Sequence, residues 1–213
     1  MHARIEHLVT SGTFSLDGGT WEVDNNVWIV GDDDEVIVID PAHDAEAVAE
    51  AVGERAVLAI LLTHAHDDHI GEVHDVQRKI GGRIHLNPED AVLWEATHAG
   101  TAPDVDITDG DIFTVSDVTL RAIHTPGHSP GSTCFFADDL GGSPVLFSGD
   151  TLFQGGPGAT GRSYSDFDLI IESIQDRIFE ELPEETIVKT GHGDATKISK
   201  EKPHLQEWID RRE

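Results

Sequence analysis

The stretch Thr63-His64-Ala65-His66-Asp67-Asp68-His69 packs three imidazoles and two carboxylates into six positions, directly after the apolar run 56–62. A strand normally gives way to turn residues, so this density of coordinating groups needs a chemical reason. Neutral imidazole and carboxylate are the ligands preferred by zinc, manganese and iron. More groups of the same kind stand at three other breaks in the chain. His128 lies in Thr125-Pro126-Gly127-His128-Ser129-Pro130-Gly131-Ser132, Asp150 in Ser148-Gly149-Asp150-Thr151, and His192 in Thr190-Gly191-His192-Gly193-Asp194.

Two positions apart in an extended turn, His64 and His66 project to the same side and can share one ion. His128 completes three protein ligands and leaves a position open. Asp68 and His69, slightly further along, point toward a second ion together with His192, and Asp150 bridges the two. The expected cofactors are therefore two divalent ions, with zinc first and iron or manganese as alternatives, roughly 3.5 to 4 Å apart as in two-metal hydrolases. Asp68 is also the candidate catalytic residue, orienting the nucleophile. Metal-bound histidines need an outer acceptor for the second ring nitrogen, and Asp40 or Asp67 is expected to supply it.

The elements that must hold these groups are legible in the apolar periodicity. Short strands are expected over 3–10, 27–30 and 36–39, with turn residues at 15–19 and a hairpin around Gly31-Asp32-Asp33-Asp34. Helical spacing from His43 to Gly53 precedes the 56–62 strand, which gives a parallel pair with a right-handed crossover. The histidine cluster then lies past the C-terminal end of a strand, where open α/β sheets place their ligands. Helices are expected over 70–80 and 88–97, a strand at 83–86, and a polar rim or lid over 98–104. Strands follow at 111–115, 118–124, 132–137, 144–147 and 186–189, with helices at 167–179 and 200–212. No linker divides the chain, so residues 1–213 are expected to form a single α/β domain.

Composition narrows the function classes. Acidic residues outnumber basic ones 41 to 14, a formal net charge of -27. Such a surface repels nucleic acid and anionic membranes, and neither is expected as a partner. The same charge would suit a saline habitat, an expectation that a fall in stability with added salt would contradict. There is no apolar run of spanning length and no signal-like N-terminus, so the expected location is the cytoplasm. The lone Cys134 reads as a buried core residue. Histidines 2, 7, 43, 74, 85, 98 and 204 read as solvent-facing, and His124 as ordinary packing.

The motifs together resemble the metallo-β-lactamase superfamily. His-x-His-x-Asp-His is matched by His64, His66, Asp68 and His69, Pro-Gly-His by 126–128, Gly-Asp by 149–150 and Gly-His-Gly by 191–193, in family order. The resemblance implies an αββα sandwich with metals at one edge. It also implies a bridging hydroxide as nucleophile, with the metals stabilising the oxyanion. Among its branches the chain is most similar to glyoxalase II, which hydrolyses thioesters of low-molecular-weight thiols; 149–153 carry that likeness. Gly161-Arg162-Ser163-Tyr164 parallels a Gly-Lys-x-Tyr element that holds the thiol's carboxylate, making Arg162 and Tyr164 candidate substrate-binding residues. Glyoxalase II has a further C-terminal helical domain, whereas 21 residues follow His192 here. A carrier other than glutathione, such as mycothiol, bacillithiol or coenzyme A, is therefore expected. True β-lactamases fit less well, since many have cysteine or serine where Asp150 stands. The alternatives are a mononuclear-iron persulfide dioxygenase on His64, His128 and Asp150, an acyl-homoserine lactonase, and a non-catalytic metal-binding module.

Overall fold

The computed structural model of the chain describes residues 2–212. Strands β1 (Arg4–Leu16) and β2 (Gly19–Gly31) form a continuous antiparallel hairpin, turning at Asp17 and Gly18 with φ of 52° and 78°. That primed turn matches the natural strand twist. Both strands run well past the short ones expected at 3–10 and 27–30. Their outer halves are largely exposed, so ladder hydrogen bonds rather than a fully buried face sustain them, and the only apolar alternation there is the short one of Phe14 and Leu16 with Trp21 and Val23.

β3 (Glu35–Ile39), α1 (Ala45–Val52) and β4 (Ala56–Leu61) make the expected parallel crossover. The Asp44 side chain caps α1 by accepting from Ala47 N at 2.9 Å. The helix expected over 70–80 is two, α2 (Asp67–Ile70) and α3 (Val73–Ile80), because the metal-motif residues 67–69 already begin to coil. Next come β5 (Ile84–Leu86), a 3₁₀ turn at Pro88–Asp90, α4 (Ala91–Thr97) and the short β6 (Val105–Asp106).

The second half supplies β7 (Ile112–Val115), β8 (Val118–His124), β9 (Thr133–Ala137), β10 (Val145–Gly149), and a small ribbon of β11 (Leu152–Phe153) and β12 (Gly156–Pro157). α5 (Phe167–Glu172) continues as wider π turns over Ser173–Phe179, followed by β13 (Ile187–Thr190) and β14 (Thr196–Lys197). The single helix expected over 200–212 is instead α6 (Ile198–Glu201) and α7 (Leu205–Arg211), separated by a 3₁₀ turn containing Pro203. Proline has no N–H to continue the helical ladder.

Two six-stranded sheets result, in the orders β1-β2-β3-β4-β5-β6 and β14-β13-β10-β9-β8-β7. The period-two alternation of the strands explains how they stack. Trp28, Val30, Ile37 and Ile39 meet Leu120, Phe135 and Phe147 between the sheets, while Val27, Ile29, Val36 and Val38 face the α1 and α3 side. On the far face Leu146 and Phe136 pack against Ile170, Ile174 and Trp208. Both faces of each central strand are buried, so these strands read as unbroken apolar runs. The architecture is αββα, as the resemblance implied. Cys134 is buried, as expected. Among the described residues no helix is long and apolar enough to cross a membrane.

Candidate metal centre

The seven residues of the motifs come together at one edge of the sandwich. Parallel pairing of β3 with β4 and of β10 with β13 sends four strand ends the same way, so Asp40, the 63–69 segment, Asp150 and His192 emerge side by side. The β8–β9 loop delivers His128 to the same place. Backbone and side-chain bonds lock the two sheets together there: Asn26 N donates to Gly191 O at 2.8 Å, Trp28 Nε1 to Thr190 O at 3.1 Å, and Thr133 N to Thr63 O at 2.8 Å.

Among the described residues three groups each bring their ligand atoms within 4.8 Å: the trios His64/His66/His128 and Asp68/His69/His192, and behind them Asp40/His64/His69. His66 Nδ1 lies 3.0 Å from His128 Nε2, and His69 Nε2 lies 3.3 Å from His192 Nε2. Asp150 sits between the trios, with Oδ2 at 3.6 Å from His128 Nε2 and 3.3 Å from His192 Nε2, and Oδ1 at 3.5 Å from His69 Nε2. Asp68 Oδ2 is 3.2 Å from His192 Nε2. Gly191 leaves the room for this approach, because a Cβ there would stand 2.1 Å from Asp150 Oδ1.

The donor set fits divalent cations on grounds internal to the protein. His64 Nε2 is buried without a hydrogen-bond partner, which is costly for a polar atom unless it has a ligand to meet. The rings are turned by bonds to their other nitrogens. His69 Nδ1 faces Asp40 Oδ2 at 3.0 Å, His64 Nδ1 faces Thr63 Oγ1 at 3.0 Å, His128 Nδ1 faces Ala159 O at 2.9 Å and His192 Nδ1 faces Asp24 O at 2.7 Å. Such outer bonds set which nitrogen points inward. Asp40, held at a φ of 47°, also accepts from Thr63 N and Oγ1 at 2.8 and 2.6 Å. Asp67 instead accepts from Ser15 N at 3.0 Å and touches no imidazole.

The two trios differ electrostatically. Burial drives His64 well below the usual imidazole range and His66 down to about 3, so these two rings offer neutral nitrogens. In the second, burial opposes charge on His192, but Asp150 and Asp68 outweigh it and lift its pKa to about 10. Burial likewise works to raise Asp68, yet His69 and bonds from His192 and Asn25 bring it down to about 2. The two ionised carboxylates of this half, Asp68 and Asp150, are thus matched by charge that they favour on the His192 and His69 rings.

A cavity of about 290 Å³ opens onto these groups. Its walls include Phe14, Trp21 and Val23 from the β1–β2 hairpin, Phe153 of β11, and Ala159 and Arg162 from the segment after β12. The Arg162 guanidinium lies over Trp21, its Cζ 3.8 Å from the ring centroid. Tyr164 is 53% exposed and does not line the cavity. The 98–104 loop expected as rim or lid lies elsewhere: Thr101, Ala102 and Pro103 border a separate pocket with Trp94, whose Nε1 donates to Thr101 O. The hairpin takes the rim position because its long outer half projects beyond the sheet.

Several supporting residues escaped the sequence reading. Asp90, buried at the start of α4, accepts from Ala65 N at 2.8 Å, Ser129 Oγ at 2.9 Å and Gly131 N at 2.6 Å, tying the His64–His66 loop to the His128 loop. The buried pair Asn25-Asn26 was detectable in principle, since asparagine is depleted in strands. Of the histidines expected to face solvent, His2, His7 and His204 do, whereas His43, His74, His85 and His98 are half-buried. His43 reaches Asn25, as described below. His124 takes a packing role, with Nε2 on Pro130 O at 2.9 Å.

Comparison with known proteins agrees with this geometry. Residues 20–192 match the model of the metallo-beta-lactamase superfamily. Hydroxyacylglutathione hydrolase GloC of Haemophilus influenzae is 30% identical, over 83% of this chain and 89% of its own. Among solved structures, the BLEG-1 B3 metallo-beta-lactamase superposes with a TM-score of 0.74 at 32% identity, covering 92% of this chain and 98% of its own. TTHA1623 in a di-iron-bound form gives 0.74 at 28% identity, over 91% and 96%. By motif, fold and family match, this chain belongs to the metallo-β-lactamase superfamily.

Proposed function

We propose that this protein is a two-metal hydrolase that cleaves the thioester of a low-molecular-weight thiol. The observation that carries the reading is Asp150, whose carboxylate lies 3.3 to 3.6 Å from ring nitrogens of both histidine trios and so suits a shared ligand. His64, His66 and His128 would hold one ion, and Asp68, His69 and His192 the other. Zinc is the first candidate, with iron and manganese open, and the di-iron form of TTHA1623 supports keeping iron in the comparison. When bound, such ions act as Lewis acids and bring the pKa of water toward ~7.

The protein's own groups do the rest. Asp68 orients the attacking water by accepting its hydrogen bond, which makes it the catalytic residue of this reading. Phe14, Trp21, Val23 and Phe153 give the substrate an apolar lining that excludes bulk water. Arg162 is the cationic residue of that lining and can grip a carboxylate on the thiol through two N–H groups. Tyr164 would touch only a substrate extending past the mouth. The likeness to GloC supports a thioester, and the acidic net charge of -27 fits a small-molecule substrate better than nucleic acid or an anionic membrane.

The test is a panel of acylated glutathione, coenzyme A, mycothiol and bacillithiol on zinc-, manganese- and iron-loaded protein. An acyl-homoserine lactone, a β-lactam and a glutathione persulfide with oxygen monitoring complete it; the β-lactam is included because of the 32% identity to BLEG-1. Thioester turnover well above the other classes is expected. Turnover confined to the lactam or lactone, or oxygen consumption on mononuclear iron, would replace this reading.

A further inference from the structure

Asp68 leans on side chains outside every ligand motif. Asn25, on β2 and fully buried, donates from Nδ2 to Asp68 Oδ2 at 3.1 Å. That oxygen is also the one nearest His192 Nε2 and His69 Nε2, at 3.2 and 3.5 Å. A carboxylate only accepts, so the amide nitrogen must face Asp68 and the amide oxygen must face away. On that far side Asn25 Oδ1 lies 2.7 Å from His43 Nε2, which must therefore carry the proton. The carboxylate fixes the direction of the whole relay: His43 donates to Asn25, and Asn25 donates to Asp68.

The fold makes two concessions to put His43 there. Its backbone sits at a φ of 57°, in the left-handed region that L residues seldom occupy. Its ring lies against Gly12 of β1, where a Cβ would come 2.1 Å from His43 Nδ1 and 2.5 Å from Cγ. A strained backbone and a strand position that admits only glycine both serve the same contact. Burial also lowers the His43 pKa, in keeping with a neutral ring that donates from one nitrogen.

We propose that His43 and Asn25 are a positioning pair that holds the Asp68 carboxylate oxygen toward His69 and His192, with His43 acting through the amide of Asn25. The proposal takes from the preceding reading only the assignment of a second ion to Asp68, His69 and His192.

Two readouts test it, one without metal. In metal-free, isotopically labelled protein, His43→Gly should shift the Asn25 side-chain amide resonances, with the relief of the left-handed φ offsetting part of the stability lost when Asn25 Oδ1 is left without its donor. In a cobalt titration followed by visible absorption, the second equivalent should bind ~10–100-fold more weakly, the usual cost of losing an outer-shell partner, while the first is little changed. His43→Gln, which keeps an N–H donor, should recover most of the loss. Unchanged Asn25 resonances with a parental second equivalent would overturn the proposal. So would equal weakening of both equivalents, or a His43→Gln variant no better than His43→Gly. If the parental protein takes up only one cobalt ion, the two-ion reading fails, and the metal-free Asn25 resonances alone then decide the pair.

Discussion

Replacing Asp90 by alanine should loosen the metal centre without touching a ligand. The carboxylate takes three hydrogen bonds in the buried junction between the 64–66 and 128–131 loops. After Asp90→Ala, Ser129 Oγ still has Ser132 Oγ at 2.9 Å, but Ala65 N and Gly131 N are left without that acceptor. A buried unsatisfied donor costs about 1–3 kcal/mol, so the two together cost about 2–6 kcal/mol. Burial raises the Asp90 pKa, meaning that the fold bears some cost for this charge, and its removal offsets part of the loss. A net destabilisation near the low end, about 2–4 kcal/mol, is therefore expected, a large share of a typical 5–15 kcal/mol. Asp90→Asn keeps one accepting oxygen and removes the charge, so it should fall between alanine and the parent. Urea unfolding of the metal-free proteins measures the stability, and metal titration measures the first ion's affinity, which should drop because His66 and His128 are no longer held together. An alanine variant within about 0.5 kcal/mol of the parent, with parental metal affinity, would refute the role given to these bonds.

Gly191→Ala should abolish stoichiometric metal binding, since its Cβ would fall 2.1 Å from Asp150 Oδ1; metal analysis after dialysis checks this. Arg162→Ala should raise KM ~10–100-fold for a carboxylate-bearing thioester with little change in kcat, the worth of a charge-assisted bond, and an equal effect on the carboxylate-capped analogue would remove Arg162 from recognition. Asp109 tests pH dependence away from the metals. Burial works to raise its pKa, but His124 N–H and Arg177 outweigh that and lower it. Its contribution is then present above the unfolded value near ~4 and lost as pH falls through the lower folded value. Asp109→Asn should accordingly narrow the gap in urea midpoint between pH 7 and pH 3.

The sequence carried the ligands, the strand rhythm and the crossover. His64, His66, Asp68 and His69 are legible because four coordinating groups after an apolar strand have no role in packing. The central strands are legible because burial on both faces demands continuous Val, Ile and Leu. The long outer halves of β1 and β2 are not, because the apolar alternation there is only two residues per strand, Phe14 and Leu16 with Trp21 and Val23, beside the turn residues 15–19. That is also why the 98–104 loop looked like a rim while the hairpin, with Phe14 and Trp21, actually borders the cavity.

Residues that act across long separations were beyond a linear reading. Asp90 serves loops 25 and 41 positions away, and Asn25 meets Asp68 across 43, so neither leaves a local pattern. His43 looked like an exposed histidine because nothing in its neighbours signals a φ of 57° or a ring lying on Gly12. By itself, then, the sequence singled out the groups proposed to bind metal, since that chemistry depends on residue type and short spacing. Only the tertiary structure decided how those groups are aimed, because orientation comes from buried hydrogen bonds that exist once both sheets have closed on each other.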